Sequence, residues 1–186
     1  MGYLGLMALG STIHRIKLQL SDSDRGVYEL LDLRLAQHPS ETSAYLVTRL
    51  LAYCLSYEEG IAFSHGLSHA DEPAVWVKTL DGRLTAWIEI GTPSAERLHK
   101  ASKACARVVV FTHHDPQLLA KETLRMPIHR LEHIEVFAPD AALVEALATR
   151  LGRNVQWELV RAGGHLYVTC DGVTLDGALS QVSLSA

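Results

Sequence analysis

Three carboxylates and a group of cations stand where chemistry could be done. Glu89 lies in the run Leu84 to Ile90 (L-T-A-W-I-E-I), on the strand face of Trp87. A carboxylate among apolar residues is costly to bury without a partner, so it reads as a functional group or one half of a pair. Asp71 and Glu72 precede Pro73 in loop-like sequence, where turn residues are the ordinary reading. Glu41 follows His38-Pro39-Ser40 at the opening of a helix, where an acid also favours the positive end of the dipole. Arg97 and Lys100 are three apart on a later helix, and Lys103 continues the same face. With Arg49 and Arg107 they could form a local positive rim for phosphates, although solvated helix charges look the same in sequence.

Other ligating side chains are less well placed. His65 and His69 are four apart, and His113-His114-Asp115 follows an apolar run, which raises the question of zinc. Two histidines at that spacing ligate together only from a helix, and Gly66 and Ser68 disfavour one. Gly163-Gly164 is a hairpin turn without the lysine or further glycines of a phosphate loop. No GxSxG elbow is present, and no Cys and His pair stands at recognisable spacing. Cys54, Cys105 and Cys170 are odd in number and lack CxxC spacing, which argues against a disulfide framework and for a reducing cytoplasm.

The elements that must position these residues can be read from periodicity. Ile16, Leu18 and Leu20 alternate with Lys17 and Gln19, and Val27 to Leu35 alternates after the turn S-D-S-D-R-G, so a hairpin is predicted. A helix is predicted from about Ser40 to Tyr57, with Leu46, Leu50, Leu51, Cys54 and Leu55 facing the core. Between Gly60 and Asp71 periodicity weakens, marking a candidate site rim. Ala74 to Lys78 and Leu84 to Ile90 form a second hairpin around Asp81-Gly82, with the Asp71 loop before it and Glu89 in its second strand. Ser94 to Lys103 reads as a helix and Arg107 to Phe111 as a strand buried on both faces, together a βαβ crossover. Helices at Pro116 to Thr123 and Pro139 to Leu151 flank a short strand at Ile134 to Phe137, and a last hairpin at Val155 to Val160 and His165 to Thr169 is expected at the sheet edge.

A length of 186 residues fits one domain, residues 1–186, and no repeat or linker divides it. Apolar types at 48% and charged types at 20% exclude a disordered chain, and no run nears the ~20 apolar residues of a membrane span. The formal charge of -4 removes the global signature of a nucleic-acid binder, so any such contact must be local. The apolar start lacks a basic region and cleavage site, and Met7 is a candidate natural start, with residues 1–6 an extension.

The strings HPSET at 38–42, RLLAY at 49–53, DEPAVW at 71–76 and WIEIGTP at 87–93, followed by Arg97 and Lys100, in this order resemble the YaeQ family. The resemblance runs from Met7 to about Leu175. It implies a mixed α/β sheet with flanking helices and additional antiparallel hairpins, a compact variant of the PD-(D/E)XK restriction-endonuclease-like fold. It further implies Asp71 and Glu89 as ligands of Mg²⁺ or Mn²⁺, Glu41 as an additional acid, and a lysine that assists phosphodiester hydrolysis on nucleic acid. The nuclease pattern wants that lysine two residues after Glu89, where this chain has Gly91; Lys100 on the next helix resembles the migrated lysine of some members, with Lys103 second. Arg49, Arg97 and Lys103 are then the phosphate candidates. The alternative is a catalytically silent nucleic-acid- or protein-binding module, linked to transcription, on the same frame. The sequence leaves the oligomeric state open.

Overall fold

Alternation carries straight into structure in the first hairpin. Thr12–Asp22 (β1) and Val27–Gln37 (β2) pair antiparallel along their whole length, with Ile16, Leu18, Leu20, Leu31, Leu33 and Leu35 buried and the intervening residues in solvent. The structure is a computed structural model that describes residues 10–65 and 71–184. The proposed start at Met7, the extension 1–6 and His69 lie outside the described residues.

The first helix, Ser43–Leu55 (α1), begins later than its sequence suggests. Thr42 is the cap, its hydroxyl accepting from the Tyr45 N–H at 3.1 Å, so Glu41 precedes the helix and does not occupy its first turn. The helix is buried nearly all round. That is the signature of a helix enclosed by protein, where an amphipathic stripe would mark one lying on a surface. Its length has no Gly or Pro to interrupt it.

Among the described residues a ten-stranded sheet runs around α1 in the order β2-β1-β8-β9-β10-β7-β6-β5-β4-β3. The remaining strands are Ile61–Phe63 (β3), Val75–Lys78 (β4), Leu84–Ile90 (β5), Arg107–Phe111 (β6), Ile134–Pro139 (β7), Asn154–Ala162 (β8), His165–Cys170 (β9) and Val173–Val182 (β10). Neighbours are parallel at β1 with β8, β5 with β6 and β6 with β7, and antiparallel elsewhere. The expected crossover is thus present: Ala95–Ala104 (α2) joins the parallel strands β5 and β6. Pro116–Thr123 (α3) and Ala141–Ala148 (α4) complete the four helices of the described residues, with a 3-10 turn at Leu131–His133. The late hairpin β8 and β9 was expected at an edge, but β8 is held between β1 and β9, and β9 between β8 and β10. One solvated face gives an interior antiparallel strand the same alternation as an edge strand.

Two cores result. The larger joins α1 to Ile16, Leu33, Trp157, Val168, Ile88 and Phe111, drawn from both halves of the sheet, and to Leu143 and Leu147 of α4. The smaller lies on the other side of β5 to β7, where Trp87, Val108, Val110 and Val136 meet Leu98 of α2 and Leu119 of α3. Strand β6 is therefore covered on both faces, as its unbroken apolar run requires.

Candidate functional site

The end of β5, the turn after it and the start of α2 bring together four of the predicted residues, Glu89, Arg97, Lys100 and Asp71. Gly91 takes a positive φ of 82°, which lets the chain leave β5 and enter α2 within a few residues. A side chain is disfavoured in that conformation, so the position two residues after Glu89 serves the turn. Ser94 caps α2 by accepting from the Arg97 N–H at 3.2 Å, which fixes Arg97 in the first turn, facing back over β5.

Arg97 is the hub. Its Nε lies 2.7 Å from Glu89 Oε1 and its Nη2 donates to the Glu72 carbonyl at 2.6 Å. The Trp87 indole donates to the same Glu89 oxygen at 2.5 Å, realising the shared strand face seen in the sequence. Glu89 is only 4% exposed. Burial raises its pKa, and Arg97 and then Trp87 pull in the opposite direction. Beside it, Lys100 pairs with Asp71 in solvent, and the Lys100 hydrogen bond is the main cause of the lowered Asp71 pKa. Glu72 bonds His65, which joins the two described ends of the connection between β3 and β4.

Glu41 belongs to an adjoining layer. Its carboxylate accepts from the His38 N–H at 2.9 Å and pairs with Arg49 at 3.1 Å, both residues being buried. Arg49 also donates to the Ala36 carbonyl of β2 at 2.5 Å and stands 5.9 Å from the centre of the Phe63 ring on β3. It is inside the protein and not on a phosphate-facing rim. Tyr45 bridges the layers electrostatically: burial chiefly pushes its pKa up to about 12, and the charges of Glu41, Arg49, Glu89 and Arg97 all act on it. Lys103 is exposed in the last turn of α2. Arg107 instead pairs with Glu58 and Glu135.

Each of the three acids thus has its own cation: Glu41 with Arg49, Glu89 with Arg97, Asp71 with Lys100. Among the described residues no group of three or more His, Cys, Asp or Glu side chains is arranged to hold a metal ion. The donor set as it stands does not fit Mg²⁺, which would have to expel Arg97 from a buried carboxylate and find further oxygen ligands. The role of Arg97 as counter-ion to Glu89 was not read from the sequence. Its signal was present in the eight-residue step from a buried strand acid to the first turn of the following helix.

Near the same strand ends, His113 and His114 lie with ring centres 4.0 Å apart and ring planes tilted by 41°. Burial first and then His114 lower the His113 pKa to about 4, so the ring is neutral near pH 7.

Comparison with known proteins gives one result throughout. The family model described as YaeQ protein matches residues 7–178. The proteins named "Uncharacterized protein YaeQ" from Escherichia coli (strain K12) and Salmonella typhi are 37% and 36% identical over 107 residues, 58% of this chain. That match spans 59% of the length of those relatives. The crystal structure of YaeQ protein from Pseudomonas syringae superposes with a TM-score of 0.83 at 34% identity, covering 92% of this chain and 96% of that one. The structure of YaeQ protein from Xanthomonas axonopodis pv. citri gives 0.84 at 31% identity, covering 92% and 97%.

Proposed function

The chain belongs to the YaeQ family, and from that premise we propose that it is a catalytically silent nucleic-acid-binding module on a PD-(D/E)XK-like frame. The observation that carries this reading is the pairing of Glu89 with Arg97 and Trp87: the buried acid of the pattern has its counter-ion within the chain. The binding surface is the exposed face of α2. The pair of Lys100 with Asp71 lies in solvent, where an ion pair contributes little and is screened by salt, so a phosphate can compete for the lysine. Lys103, one turn further on, extends the contact. A cytoplasmic location fits the unpaired thiols of Cys54, Cys105 and Cys170. No helix of the described residues is long and apolar enough to cross a membrane.

A second reading, Mg- or Mn-dependent phosphodiester hydrolysis, is favoured by one observation, the exposure of Asp71 and Lys100 beside Glu89. The two separate on melting temperature and cleavage. Titration of Mg²⁺ or Mn²⁺ is expected to leave the melting temperature within about 1 °C, because each of the three site carboxylates already has its cation. Labelled single-stranded RNA and DNA are expected to bind without being cut, with a salt slope that falls by about one in Lys100→Ala. Metal-dependent stabilisation lost in Asp71→Asn, together with cleavage, would establish the enzyme instead.

A further inference from the structure

We propose that the outer face of β2, β1 and β8 holds a second site, for a compact phosphate group, centred on Arg15 and Arg34. It does not rest on the functional reading above and uses none of its residues. Arg15 and Arg34 are direct partners across the β1 and β2 ladder, and their buried neighbours His14, Ile16, Leu33 and Leu35 show that both point outward. Like charges directly opposite on one face destabilise a sheet, whereas opposite charges there stabilise it. Neither guanidinium is offset: none of Arg15, Lys17, Asp32 or Arg34 forms an ion pair or side-chain hydrogen bond with another described residue.

The register fills in the rest of the site. Asn154 of β8 lies beside Arg15, and the next rung runs Asp32, Lys17, Gln156. These six side chains line a depression of about 440 Å³. Three cations against one acid leave a formal excess of two positive charges. Two guanidinium forks side by side match the several oxygens of a phosphate, and the two amides supply neutral donors. Bound there, an oxyanion would convert the unfavourable rung into a favourable one.

The surroundings select the size of the ligand. A larger depression of about 670 Å³ adjoins the site through Lys17, Asp32 and Gln156, and it brings in Glu158 and Asp171. Those acids repel a long polyanion running down the face. A phosphomonoester or pyrophosphate group fits the basic end alone, whereas a nucleic-acid strand would meet the carboxylates.

The test is thermal melting in EDTA with pyrophosphate, against sodium chloride at equal ionic strength, on wild type, Arg34→Gln and Arg15→Gln. Pyrophosphate is expected to raise the wild-type melting temperature in proportion to the logarithm of its concentration once that exceeds the dissociation constant, and each variant to need roughly tenfold more for the same rise. Without ligand, Arg34→Gln is expected to melt at or above the wild type, because the repulsion is gone. A rise no greater than that from chloride, or an equal rise in the variants, overturns the site. So does a lower melting temperature of unliganded Arg34→Gln. Arg34-dependent binding of a single-stranded RNA with no response to pyrophosphate would overturn the assignment to a compact ligand.

Discussion

Glu89 accepts from the Trp87 indole and pairs with the Arg97 guanidinium, yet burial still lifts its pKa above the ordinary value of 4.5. A folded pKa above the unfolded one means that the stability from this group is fully present below about pH 4.5 and declines as pH rises through the folded value. Glu89→Gln keeps an acceptor for Trp87 and cannot ionise. Arg97 is 28% exposed and keeps its bond to the Glu72 carbonyl, so it can rehydrate. The variant is therefore expected to match the wild type near pH 4.5 and to melt at or above it at pH 7.5, as read by thermal melts across that range. A large loss confined to pH 7.5 would show instead that the ionised pair is a net source of stability. Part of this was legible in sequence: the period of two places Glu89 on the face of Trp87 and marks it as needing a partner. The partner itself was not, because it depends on the left-handed turn at Gly91 and on the Ser94 cap, which together decide where Arg97 points.

Periodicity located β1, β2, β5 and β6 and the buried stripe of α1, since each follows from a simple apolar repeat. It failed where tertiary context decides. Strand β10 carries Asp176 and Gly177 in its middle, which break the apolar rhythm, but Gly177 is where α4 comes close: a Cβ there would sit 2.7 Å from the Asp140 Cβ. Strand β3, only Ile61–Phe63, is too short to show a period, and it is placed by the turn before it. That turn depends on Gly60, at a φ of 87°, whose added Cβ would lie 1.9 Å from the Lys78 carbonyl oxygen. The obstacle is backbone of the neighbouring strand and cannot swing aside. Gly60→Ala combines this clash with a left-handed conformation, and it is expected to cost roughly 3 kcal/mol in urea unfolding. Gly82, also at a positive φ of 84° but with nothing within 4 Å, is the control: Gly82→Ala should cost only about 1 kcal/mol.

At the scale of the molecule, the two edge strands of the sheet, β2 and β3, meet the same side chain. Arg49 of α1 donates to the Ala36 carbonyl on β2, lies near the Phe63 ring on β3, and neutralises the buried Glu41. The sheet is thereby drawn round the helix, and both halves share one core. Removing Arg49 leaves a buried carboxylate without its cation and frees both edges, so Arg49→Ala is expected to cost about 3–5 kcal/mol. Because the core is shared, the loss should appear equally far from the substitution. Trp157 on β8 and Trp87 on β5 are buried at 3% and 5% exposure, one in each half of the sheet. Proteins retaining only one of them, the other two tryptophans replaced by Phe, report each half separately by fluorescence. In Arg49→Ala both urea midpoints should fall together, as they must if α1 links the halves into one cooperative unit. If the Trp157 midpoint stayed in place while that of Trp87 dropped, β8 and its neighbours would be folding without the helix, and the ten strands would be two independent sheets sharing hydrogen bonds.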